Sequence, residues 1–73
     1  MSITVYTKPN CVQCAATERK LNQLGITYEA VDVTTDEESY NLIVSKGFQQ
    51  VPVVNADDDW WSGYRPDLLN NLR

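Results

Sequence analysis

Between residues 3 and 33 a β-rich stretch, a helix-favouring stretch and a second β-rich stretch follow one another, and this order restricts the fold more than any other feature of the chain. Residues 3–7, Ile-Thr-Val-Tyr-Thr, are β-branched or aromatic throughout and are closed by Lys8-Pro9-Asn10, which reads as a buried strand and a turn. Residues 12–24 favour helix, with Cys14, Thr17, Leu21 and Leu24 on one stripe and Glu18, Arg19, Lys20 and Gln23 free to face water; Gly25 is a natural stop. Residues 27–33 alternate and are β-rich. Strand, helix and strand in about 30 residues make a βαβ unit, whose strands run parallel through a right-handed crossover.

The remainder extends that unit. Thr35-Asp36-Glu37-Glu38 has the pattern of a capping box, with Thr35 as the cap and Glu38 reaching back. A second helix follows, with Tyr40, Ile43 and Val44 expected on its apolar face and Lys46-Gly47 at its end. Residues 51–55 read as a short strand whose Pro52 belongs at its start or on an edge, because proline cannot donate to a ladder. Residues 55–59 form a turn into a fourth short strand at Trp60-Trp61, one of them expected to point inward and the other outward. Ser62-Gly63-Tyr64 is a loop, and Pro66 suits the first position of a last helix carrying Leu68, Leu69 and Leu72. The expected order is βαβαββα in one domain over residues 1–73, an α/β fold.

Both cysteines of the chain, Cys11 and Cys14, stand at the junction of the first strand and helix. Unpaired N–H groups and the positive end of the helix dipole favour an anion there, and a thiol so placed commonly titrates at about 3.5–7.5 rather than near 8.5. Lys8 adds a cationic neighbour. A spacing of three puts the sulfurs almost one turn apart, close enough to close a small ring, so the pair reads as a reversible dithiol, the more so after the first strand of a βαβ unit. Cys11 is expected to be open and Cys14 shielded. Structural zinc needs four protein ligands, and two cysteines without a single histidine supply half of them, so only a bridged dimer could hold the metal.

A net charge of −4, with Asp36-Glu37-Glu38 and Asp57-Asp58-Asp59 as acidic clusters, disfavours nucleic acid. The aspartate run lacks the spaced ligands and glycine of a calcium loop and reads as a solvated turn. No apolar run approaches the roughly 20 residues of a membrane span, and no secretory signal pattern opens the sequence; a soluble, cytoplasmic chain is expected. As a bare dipeptide Val51-Pro52 reads as trans, since only about 5–6% of X-Pro bonds in folded proteins are cis.

Three segments together carry a family resemblance: Thr-Lys-Pro-Asn-Cys-Val-Gln-Cys at residues 7–14, Val51-Pro52, and Trp61-Ser62-Gly63-Tyr64-Arg65-Pro66-Asp67. Over nearly its whole length the chain resembles the glutaredoxin-like branch of the thioredoxin fold, and within it the NrdH-redoxins. The resemblance implies a four-stranded mixed sheet flanked by three helices and a cis bond before Pro52. It implies Cys11 as nucleophile and Cys14 as resolving thiol, with no metal or organic cofactor. Lys8 would support the thiolate, and Val51 and Pro52 would hold the backbone of a substrate. Val12, Gln13, Trp61, Ser62, Gly63, Tyr64 and Arg65 would face the partner. Electrons would arrive from NADPH through thioredoxin reductase and leave to the class Ib ribonucleotide reductase, with the chain a monomer.

Glutaredoxins that use glutathione typically carry proline-tyrosine between the cysteines, threonine before the valine-proline, and a glycine pair followed by aspartate. Those places here hold Val12-Gln13, Gln50, and Ser62-Gly63 followed by Tyr64-Arg65-Pro66, so the glutathione clamp reads as dismantled, although Asp67 remains as a partner for the tripeptide's amine. The alternatives are a glutathione-dependent glutaredoxin, a dimer bridged by zinc or an iron–sulfur cluster, and a redox-responsive interaction domain without turnover.

Overall fold

The computed structural model describes residues 2–72. Its elements are β1 (Ile3–Thr7), α1 (Val12–Gln23), β2 (Glu29–Asp32), α2 (Glu37–Ser45), β3 (Val53–Ala56), β4 (Asp59–Ser62) and α3 (Pro66–Asn70). They form one four-stranded sheet in the order β2-β1-β3-β4. β1 and β2 are parallel, as the βαβ unit requires, whereas β3 runs antiparallel to both β1 and β4. This is the mixed-sheet thioredoxin fold that the sequence implied.

Side chains alternate across a strand, so each strand feeds two layers. On one face Ile3, Val5, Val54 and Ala56 pack with Leu21 of α1 and Leu69 of α3. On the other, Tyr6, Val33 and Val53 pack with Ile43 of α2. The stripe expected on α1 is observed: Cys14, Thr17 and Leu21 are buried and Leu24 partly so. Thr17 is a polar residue in that layer, and its hydroxyl donates to the Gln13 carbonyl at 2.9 Å, which removes the penalty of burying it.

Several local expectations are corrected. α2 is capped by Asp36, whose carboxylate accepts from the Ser39 N–H at 3.3 Å, one residue later than the Thr35 box. Asp32 organises a turn of its own, accepting from the Thr34 N–H at 2.8 Å, and Thr35 spends its hydroxyl on the Asp32 carbonyl at 3.2 Å. Of the apolar face expected on α2 only Ile43 is buried, while Tyr40 and Val44 are about half exposed at 52% and 49%. β3 begins at Val53 rather than at Val51, since Pro52 lacks the N–H to extend the ladder. β2 is shorter than expected, and α1 ends at Gln23 with Leu24 as its C-cap.

The tryptophans differ from expectation as well. Neither is an outward residue: both are half-buried, with Trp61 packed on the α1 and α3 layer and Trp60 on the α2 layer. Helices cover both faces of the sheet, so alternation sends the neighbours into two cores instead of one core and solvent. Trp60 stacks against Tyr6 and Phe48, with ring centroids 6.0 and 6.4 Å away, and Lys46 Nζ lies 4.5 Å above its ring.

Candidate active site

The site forms where β1 hands over to α1. Asn10 takes a positive φ of 60°, a conformation that asparagine tolerates better than most residues, and turns the chain so that Cys11 becomes the N-cap of α1. Here the cap is sulfur. The Cys14 N–H donates to Cys11 Sγ at 3.2 Å, using one of the helix's unpaired N–H groups. Cys11 and Cys14 form a disulfide, with their Cα atoms 5.2 Å apart.

The two sulfurs have different surroundings. Cys11 is half-buried at the head of the helix, whereas Cys14 is only 2% exposed beneath it, as the sequence led us to expect. A reagent approaching from solvent therefore meets Cys11 first.

Val51-Pro52 stands next to this pair, and its peptide bond is cis, overriding what the dipeptide alone suggested. The Val51 carbonyl oxygen lies 3.9 Å from Cys11 Sγ. In the disulfide that sulfur carries no proton, so the approach is a contact, and it can become a hydrogen bond only when Cys11 is a thiol. The Gly63 N–H donates to the Pro52 carbonyl at 2.8 Å, which ties the turn after β4 to the same segment. The Tyr64 N–H donates to Gln13 Oε1 at 3.2 Å and brings that turn back to α1. Three stretches distant in sequence thus meet around the disulfide.

An open groove of about 930 Å³ leads away from Cys11 towards α2. Lys8, Val12, Gln13 and Val51 line it on the cysteine side, and Tyr40, Val44 and Phe48 on the other. Val12 is 85% exposed. Lys8 makes no ion pair among the described residues and is the groove's only charged lining group. Of the other residues singled out in the sequence, Ser62 is exposed at the end of β4 and Trp61 is turned into the core. Arg65 pairs with Asp67 through two bonds, Nε to Oδ1 at 3.2 Å and Nη2 to Oδ2 at 3.0 Å. The pair holds the Asp67 carboxyl below its ordinary value and raises the Arg65 guanidinium.

Sequence reasoning missed the α2 wall of the groove and the tie between Gln13 and Tyr64. The first had a signal, Tyr40 and Val44 four apart on the expected apolar face of the second helix. The second had none, because it spans 51 residues.

A thioredoxin-type sheet with a C-x-x-C disulfide at its first strand–helix junction defines a thiol-disulfide oxidoreductase, with Cys11–Cys14 as the redox pair. The family model described as Glutaredoxin matches residues 3–61. The chain is 47% identical over 72 residues to the glutaredoxin-like protein NrdH of Salmonella typhimurium, covering 99% of this chain and 89% of that protein. It is 33% identical over 70 residues to the glutaredoxin-like protein NrdH of Lactococcus lactis subsp. lactis, covering 96% and 97%. The solved structure of NrdH-redoxin from Escherichia coli superposes with a TM-score of 0.98 at 44% identity, covering 100% of this chain and 96% of that one. The chain belongs to the glutaredoxin family, and within it to the glutaredoxin-like NrdH proteins.

Proposed function

We propose that this chain is a monomeric, single-domain cytoplasmic electron carrier over residues 1–73, which takes electrons from NADPH through thioredoxin reductase and delivers them to protein disulfides. The class Ib ribonucleotide reductase is the target we assign to it. The observation that carries the chemistry is the unequal burial of the two cysteines, Cys11 half-open at the helix start and Cys14 2% exposed. The NrdH-redoxin of Escherichia coli is described as having a thioredoxin-like activity profile, which favours this electron source. The departures at Gln50 and at Ser62-Gly63-Tyr64 from the pattern of glutathione-using glutaredoxins favour it too.

The reaction runs in two displacements. Cys11, as thiolate, attacks one sulfur of the target disulfide; a Cys11–target bond forms and the other target sulfur leaves as thiolate. Cys14, losing its proton, then attacks Cys11 Sγ, which closes the intramolecular disulfide and expels the second target sulfur. The target gains two electrons and takes up two protons, and the reductase returns two electrons to the Cys11–Cys14 bond. The helix start and the Cys14 N–H stabilise the Cys11 thiolate, with Lys8 as a nearby cation. Val51 and Pro52 align the backbone of the target, while Val12 and the turn from Ser62 to Arg65 contact the partner.

The test is NADPH oxidation during reduction of a protein disulfide, with thioredoxin reductase in one reaction and glutathione plus glutathione reductase in the other. Turnover with thioredoxin reductase alone is expected. Turnover only with glutathione would overturn the assignment of the electron source. Cys14→Ser should accumulate a mixed disulfide through Cys11, and Cys11→Ser should form none; the opposite pattern would reverse the two roles.

A further inference from the structure

We propose that Gln13 is a positioning residue, which fixes the turn at residues 63–65 beside the cysteine pair and thereby sets how tightly a protein partner is held, without joining the exchange of sulfur bonds. The residue lies between the two cysteines and is clamped at both ends. Its backbone carbonyl accepts from the hydroxyl of Thr17, a residue with no exposure, so the root of the side chain is pinned to the core. Its side-chain oxygen accepts from the Tyr64 N–H at 3.2 Å.

The turn itself has few other supports. Gly63, at a positive φ of 83°, is tied to Pro52 by a backbone hydrogen bond that no side chain controls. Arg65, the N-cap of α3, makes no side-chain capping bond to the helix and instead pairs with Asp67. Among the described residues, Gln13 is therefore the one side chain that hydrogen-bonds this turn to the helical turn bearing both sulfurs. The end of the Gln13 side chain lies against the turn: a Cβ at Gly63 would meet Gln13 Oε1 at 3.6 Å, an ordinary van der Waals contact. Gln13 is itself exposed, so truncating it opens no cavity. What its truncation removes is the registration of the turn against Cys11.

The inference rests on the reading that the dithiol serves a protein partner, and the experiment has two independent readouts on the full chain. The first is amide hydrogen exchange at Tyr64, which does not depend on any partner. Gln13→Ala should lose protection there about fivefold or more, while Gln13→Glu, which keeps an acceptor at the same reach, should restore it. The second is the KM and kcat of the thioredoxin reductase reaction. Gln13→Ala should raise KM about fivefold with little change in kcat, and Gln13→Glu should recover most of it. Unchanged exchange at Tyr64 in Gln13→Ala would overturn the proposal, as would a fall in kcat with KM unmoved. Absence of wild-type turnover with thioredoxin reductase would instead overturn the assigned electron source, and the exchange measurement would still decide the role of Gln13.

Discussion

On one face of the sheet α1 and α3 bury Thr17, Leu21 and Leu69 completely, whereas on the other α2 buries only Ile43 and leaves Tyr40, Leu42 and Val44 between 39% and 52% exposed. The first layer also holds Cys14. The second borders the groove beside Cys11. The difference divides the labour of a small domain: one layer supplies the burial that keeps the chain folded and shields one sulfur, and the other gives up burial to leave a wall next to the reactive one. A chain of 73 residues has little surplus stability, so the tightly packed layer must carry most of it.

Truncations across the two layers would break this comparison most directly. Leu21→Ala should cost about 2–5 kcal/mol in chemical denaturation, enough to threaten folding. Ile43→Ala, in the thinner layer, should fall at the low end, near about 2 kcal/mol. Equal losses would mean that the layers share the load. Asp36→Ala removes the cap of α2 and should cost about 1 kcal/mol, read as a lower melting temperature. Val44→Ala and Lys46→Ala should each shift stability by roughly 0.5 kcal/mol or less, the latter through the lost contact with the Trp60 ring.

Alkaline titration gives a finer test. Burial, and then the carboxylates of Glu29 and Asp36, raise the Tyr6 phenol, while burial and Glu18 raise that of Tyr28. A value raised on folding means that the folded state holds its proton more tightly. The stability this contributes is complete below the unfolded value near 10 and is lost as pH rises through the higher folded value. Absorbance of ionised tyrosine should show these two phenols titrating late, one from each layer. Early ionisation of Tyr6 would mean that the α2 layer admits water more freely than its packing indicates.

Much of this arrangement was legible in the residues. The stripe of Cys14, Thr17 and Leu21 specified the packed face of α1, and the placement of C-x-x-C after the first strand specified which cysteine would be open. The start of α2 was misread because Thr35 and Asp36 are both good caps, and the choice was made by Asp32, whose own turn consumes the Thr35 hydroxyl. The exposure of Tyr40 and Val44 is not legible, because periodicity reports an apolar face without saying whether anything covers it. The cis bond at Pro52 followed only from resemblance to a family. The meeting of Gln13 with Tyr64 depends on the sheet order, which brings the turn after β4 back to the head of α1, and no local pattern encodes it.

The placement of Trp60 and Trp61 on opposite faces gives the molecule a built-in pair of optical labels. Trp61 carries an indole N–H that is buried without an acceptor among the described residues, in the layer that shields Cys14, and Trp60 stacks with Tyr6 and Phe48 in the layer beside the groove. Replacing either by phenylalanine leaves a single tryptophan in a known layer. Fluorescence of the two variants during unfolding would then show whether the layers melt together or whether the one under α2 loosens first.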